Sequence, residues 1–208
     1  MEVSKRDFPK PRKYALEILR RFGMIDRKAM TTPMTMDLKP LNDDTSEAID
    51  ATLYRQIIGS LMYLSNTRPY ICFAVNTISQ YMVNPKHIHL VGAKHVMIYL
   101  KGTLDYGLRY ASNGEIRLHG FTDSDWKGSS KDRKTTSRCF FSSGSGMTSW
   151  FGRKNTSVSL SRTGAEYIVT RSTCSEAVWL LKMLERLFDV DIDVTNILYD
   201  NQSFIKMI

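Results

Sequence analysis

The spacing of apolar positions changes character near residue 115. Before that point the period is helical. In KYALEILRRFG (13–23), Ala15, Leu16, Leu19 and Phe22 recur at helical spacing, and Gly23 suits a helix end. TTPMTMDLKPLNDDTSEAID (31–50) is polar, acidic and broken by Pro33 and Pro40, which predicts a linker or long loop. Residues 53–85 predict two helices divided at Asn66-Thr-Arg-Pro69, because proline suits the first turn of the second. HLVGAKHVMIYLKGT (89–103) predicts a third, with Leu90, Ala93, Met97 and Leu100 on one stripe and Gly102 as its stop. Such stripes must be buried against each other, so 53–103 is expected to form a compact helical unit. TLDYGLRYAS (103–112) reads as a short strand and a turn.

Beyond 115 the period shortens to that of strands. EIRLHGFTD (115–123) alternates, with Ile116 and Leu118 on one side, and SRCFFSSGSGMTSWFG (137–152) predicts a hairpin turning at Ser143-Gly-Ser-Gly146. A long helix is expected from about Gly164 to Phe188, with Ala165, Ile168, Ser172, Trp179, Met183 and Leu187 as its stripe. NILYD (196–200) then reads as a strand and NQSFIKMI as the start of a helix. Three strands in a meander, a helical crossover and a fourth strand parallel to the first make 116–208 a mixed α/β region.

Charge adds a partner class to this picture. The formal net charge is +8 over 208 residues, which favours anionic partners such as nucleic acid. Residues 1–30 hold nine Lys/Arg against four Asp/Glu, and residues 116–208 hold thirteen against ten. The basic N-terminal stretch KRDFPKPRK reads as a solvated arm and not as a signal peptide, because no uninterrupted apolar segment follows it. No apolar run reaches the roughly 18 residues that a membrane span needs. Cys72, Cys139 and Cys174 are odd in number and widely spaced, which points to a reducing, intracellular (cytoplasmic or nuclear) setting and no disulfide framework. His87, His89 and His95 cluster without cysteine or carboxylate partners and so read as surface or packing residues, not zinc ligands.

The candidate chemistry lies in carboxylates. Asp123 falls at the end of the first strand of this region, Glu166 in the first turn of the long helix and Asp200 at the end of the last strand. If those ends open at one sheet edge, the three acids form a hard-oxygen site suited to Mg²⁺, with the two-ion chemistry of phosphodiester hydrolysis. Each has a structural alternative. Asp123 and Asp125 read equally as solvated residues where a strand becomes a loop. Glu166 fits a capping box begun by Thr163, and Asp200 fits an N-cap of the last helix.

Several ordered stretches carry a resemblance. LYRQIIGSLMYLSNTRPYICFAV, YLKGTLDYGLRY, GFTDSDWKG, DRKTTS, SWFGRKNTSVSLSRTGAEY and YDNQS resemble the C-terminal part of copia-type retrotransposon Pol polyproteins, from about Lys13 to Ile208. The resemblance implies a basic arm and helix (1–30) as a remnant of the reverse transcriptase thumb, a linker (31–52), a helical connection region (53–112) and a truncated ribonuclease H-like domain (116–208). It implies Asp123, Glu166 and Asp200 as catalytic, metal-binding residues, with Mg²⁺, or Mn²⁺ as a substitute, and an RNA–DNA hybrid as substrate. Asp125, Trp126 and Gly128 match motif positions with structural or peripheral roles.

The departures matter as well. The polymerase motif Tyr-x-Asp-Asp is absent, and the chain stops before the usual fifth strand and the helix carrying a fourth acid. Arg-Pro-Tyr70 replaces the family's usual Arg-Pro-Asp, Arg138 sits where glycine is common, and Gly164 where Glu or Ala is commoner. The expectation is an incomplete, inactive ribonuclease H-like domain. Alternatives are a non-catalytic module binding nucleic acid or protein, or a nuclease completed by another chain. A secreted effector fits less well, since the chain lacks both a signal peptide and an Arg-x-Leu-Arg tetrad.

Overall fold

A computed structural model of the chain describes residues 11–35, 41, 45–108, 110, 117–125, 134–144, 146–159, 161–189, 191–192, 194–199 and 205–206. They divide into two units, 1–107 and 108–208. The first is helical: α1 (Pro11–Arg21), α2 (Ala51–Ser65), a 3₁₀ turn (Pro69–Ile71), α3 (Cys72–Ser79) and α4 (His87–Gly102). Local chemistry sets these ends. Gly23 adopts a φ of 66° just past α1, and the Asp50 side chain accepts a 2.8 Å bond from the Thr52 amide at the start of α2.

All four helices feed one core. Ala15, Ile18 and Leu19 of α1 pack with Ile57, Ile58 and Leu61 of α2, with Val75 and Ile78 of α3, and with Val96, Met97 and Leu100 of α4. Tyr54 places its ring in this core and donates its hydroxyl to the Ile78 carbonyl at 2.7 Å, and burial raises its pKa. His89 is a packing residue, as the sequence suggested. Its Nδ1 accepts from the Lys86 amide at 2.9 Å, its Nε2 lies 2.8 Å from the Leu41 carbonyl, and its ring stacks on Tyr81.

Among the described residues of 103–112, the expected strand is not seen. Residues 103–105 are a turn and 106–108 carry no strand, while 109, 111 and 112 lie outside the described residues. Arg68 holds that turn. Its fully buried guanidinium donates to the Thr103 carbonyl at 2.6 Å, to the Leu104 carbonyl at 2.9 Å and to the Tyr70 hydroxyl. Carbonyls that a strand would offer to a ladder instead receive a cation at the negative end of α4. The Tyr70 hydroxyl accepts from Arg68, and its ring sits edge-on to Tyr99 and Tyr106.

The second unit is a four-stranded mixed sheet with one long helix, an α/β arrangement. β1 (Leu118–Asp125), β2 (Lys134–Ser143) and β3 (Gly146–Val158) run antiparallel in sequence. α5 (Arg162–Phe188) crosses over to β4 (Asn196–Tyr199), which pairs parallel to β1, giving the order β3-β2-β1-β4. The hairpin turns where predicted, with Gly144 at a φ of 60°. Ile116 and the terminal helix lie outside the described residues, apart from residues 205 and 206.

α5 starts two residues before Gly164, and its buried stripe differs from the one predicted. Ala165, Glu166, Val169, Thr173, Ala177, Leu180 and Leu184 face inward, whereas Ser172, Trp179 and Leu187 are exposed. Two polar residues in the true stripe hid it from an apolar pattern. The core beneath it holds Leu118, Cys139, Phe141 and Ile192, flanked by Phe151 and Ile197. Burial pushes the Cys139 thiol up to about 11, so it stays protonated, and all three cysteines are free. Among the described residues no helix is long and apolar enough to cross a membrane.

Candidate functional site

The parallel pairing of β4 with β1 brings both strand ends to one side of the sheet, with Thr122 beside Tyr199. Alternation then decides which face each side chain takes. Thr122 is buried toward α5, where the Thr173 hydroxyl lies 3.5 Å away. Its neighbour Asp123 therefore takes the opposite face, with Phe121. Asp123 stands directly across the ladder from Arg138, and the Arg138 Nη1 meets its Oδ2 at 2.9 Å. Both side chains keep contact with water, at 44% and 24% exposure. Such a pair adds little stability, but it places a full positive charge against the carboxylate. Asp125 lies opposite Thr136 in the ladder, and its side chain is outside the described atoms.

Glu166 is on the other face. The helix is capped by Ser161, whose hydroxyl accepts from the Gly164 amide at 3.0 Å, so Thr163 begins no capping box. Gly164 suits this cap, because a Cβ there would come within 3.3 Å of the Ser161 hydroxyl. Glu166 thus lies one turn inside α5, not in its first turn, and is only 1% exposed. It is close enough to Tyr199 to be felt electrostatically. Burial is the main cause raising the Tyr199 phenol pKa; a hydrogen bond with Thr170 opposes it, and Cys174, Cys139 and Glu166 add to the rise. The crossover therefore brings the Glu166 turn to the end of β4. Asp200, the next residue after Tyr199, lies outside the described residues, as do Trp126 and Gly128.

Asp123 and Glu166 are hard-oxygen donors of the type Mg²⁺ selects. Asp123 meets a guanidinium on the outer face of the sheet and Glu166 is buried on the inner one, while Asp200, the third expected ligand, lies outside the described residues. Among the described residues no group of three or more His, Cys, Asp or Glu side chains could hold a metal. The decisive partner, Arg138, carried no local signal as an ion-pair residue. Residues 126–133 separate β1 from β2, so no tight turn fixes which residue faces Asp123.

Comparison with known proteins gives consistent relatives. The chain is 38% identical over 176 residues to a retrovirus-related Pol polyprotein from transposon RE1 of Arabidopsis thaliana, covering 85% of this chain and 12% of that relative. It is 38% identical over 168 residues to an uncharacterized mitochondrial protein of the same plant, covering 80% of this chain and 69% of the relative. It is also 38% identical over 128 residues to secreted RxLR effector protein 161 of Plasmopara viticola, covering 61% of this chain and 90% of that protein. No family model matches the chain, and no solved structure matches it.

Proposed function

The chain belongs to the family of copia-type retrotransposon Pol polyproteins, and from that premise we propose that residues 116–208 are a ribonuclease H-derived domain that keeps the fold and has lost the reaction. The ancestral reaction is Mg²⁺-dependent hydrolysis of RNA in an RNA–DNA hybrid, with Asp123, Glu166 and Asp200 as metal ligands. Residues 13–112 correspond to the region after the polymerase palm, its thumb and connection. Nucleic acid remains the partner, a reading supported by the net charge of +8.

The strand order, the parallel β1–β4 pair and the crossover helix support the ancestry. The observation that carries the loss of activity is the Asp123–Arg138 pair at 2.9 Å, on the face of the sheet away from Glu166. Two-ion hydrolysis needs carboxylates gathered around metals about 3.5–4 Å apart, and misplacing a ligand by about 1 Å can cost about a hundredfold in rate. Purified protein with Mg²⁺ or Mn²⁺ is expected to leave an end-labelled RNA–DNA hybrid intact, at the rate of buffer alone. Metal-dependent cleavage that disappears in Asp123→Asn would overturn this reading.

A further inference from the structure

The buried stripe of α5 rests on the sheet, and cations stand on the side of the helix facing away from it. At about 100° per residue, Arg171 and Lys182 lie directly opposite Val169, Thr173 and Leu180, with Arg186 one step round from Lys182. All three cations are exposed, and the crest they form is about 22 Å long at about 1.5 Å per residue. Tyr167, 68% exposed, borders it on one side, and Trp179, 57% exposed, on the other. None of the acids of α5 answers these charges. Glu166 is buried, Glu176 accepts from the Ser149 hydroxyl at 3.1 Å, Glu185 is half-buried on one flank, and Asp189 lies past the last turn. Among the described residues, none of the three cations has an ion-pair partner.

Such a row has a cost that the fold does not offset. Lys182 and Arg186 are like charges at i and i+4, which weakens a helix. Arg186 also suits the negative end of α5, but the dipole's influence fades within the last turn, so Arg171 and Lys182 gain nothing from it. We propose that this crest binds the phosphate backbone of nucleic acid through Arg171, Lys182 and Arg186, without reading bases. Charge complementarity selects a polyanion, and the order of side chains narrows the choice. A helix that lies on a membrane or packs on a partner helix centres apolar side chains on the docking line and leaves cations at its margins. On α5 that order is reversed: cations hold the crest, and Tyr167, Val178 and Trp179 hold the margins. Rings at the margins also suit nucleic acid, because a base can lie against a ring while its phosphate meets the neighbouring cation. The inference rests on the reading that nucleic acid is the partner, and it names the surface that holds it.

The test uses the full chain and a labelled DNA duplex, with affinity read by fluorescence anisotropy between about 50 and 200 mM salt. Each phosphate contact contributes about −0.9 to the slope of log K against log salt. Arg171→Gln, Lys182→Gln and Arg186→Gln combined are therefore expected to make the slope shallower by about 2.7. Glutamine keeps the helix propensity, so far-UV circular dichroism should not change. Arg171→Lys with Arg186→Lys keeps the charges and should bind as the wild type does. The matched control, Arg20→Gln with Arg27→Gln and Lys28→Gln, removes exposed cations of the helical unit and should leave most of the slope in place. If the wild type binds no nucleic acid, the partner reading fails and this inference falls with it. If the wild type binds and the α5 variant loses no more slope than the control, only the crest is overturned. Displacement of the duplex by poly-glutamate at equal charge concentration would give the crest to acidic proteins. Binding to phosphatidylserine vesicles that the α5 variant loses would give it to a membrane, and either result would overturn the proposal.

Discussion

Arg68→Ala is expected to lower the stability of the helical unit by about 4 kcal/mol. The Arg68 side chain is fully buried and spans 35 residues of sequence, tying the α2–α3 turn to the carbonyls at the end of α4. Hydrogen bonds from a charged donor contribute about 1.5–3 kcal/mol each, and each acceptor left buried without a donor costs about 1–3 kcal/mol. Truncation also leaves a cavity. Arg68→Lys should recover less than half of the loss, because an ammonium on a flexible stem does not reproduce the planar fork reaching Thr103, Leu104 and Tyr70 together. Urea denaturation followed by far-UV circular dichroism measures the effect. A loss below about 1 kcal/mol for Arg68→Ala would mean that the clamp is not the organising contact described.

Gly120→Ala is expected to cost about 2–3 kcal/mol in the second unit. A Cβ at Gly120 comes within 2.9 Å of Phe141 Cε1, 3.3 Å of Cδ1 and 3.4 Å of Ile197 Cγ1. The Phe141 ring is fully buried and packed in the core beneath α5, so it has little room to withdraw. Overpacking of this kind costs about 1–3 kcal/mol. The compensating change is Phe141→Leu, which removes the obstructing ring edge. Combined with Gly120→Ala, it should cost less than the sum of the two single changes, which is the signature of a direct contact. All three tryptophans lie beyond residue 108, so their fluorescence reports unfolding of this unit. Strict additivity of the two substitutions would exclude the clash as the cause.

These two sites show what the sequence could and could not convey. Helices and strands were legible where one rule dominates: apolar spacing for α4, alternation for β1, and Gly144 for the hairpin turn. The parallel β1–β4 pair followed from the crossover, since a long helix between strands favours that geometry. Contacts made by polar residues at long range were not legible. Arg68 reads as a turn residue until its partners at 103 and 104 are known, and those same bonds hold the turn at 103–105. The α5 stripe was misphased because Glu166 and Thr173 occupy inward positions that an apolar count passes over. Its start was misplaced because Ser161, not Thr163, supplies the capping hydroxyl.

The candidate site divides along the same line. The positions of Asp123 near the end of β1 and of Glu166 on α5 follow from pattern and resemblance. The faces they occupy depend on sheet register, which a 126–133 connection leaves open to sequence reasoning. Register is also what sets Arg138 against Asp123, a contact that adds a charge partner to the inactivity the sequence already led one to expect.

The proposed loss of the divalent-cation site is tested most directly at Asp123, whose carboxylate meets the Arg138 guanidinium. Titration of the full chain with Mn²⁺, following the free ion by electron paramagnetic resonance, measures this without reference to any activity. No site tighter than about 1 mM, the weak end of carboxylate cation sites, is expected, and Asp123→Asn should give the same curve. A stoichiometric site well below that concentration, lost in Asp123→Asn, would contradict it.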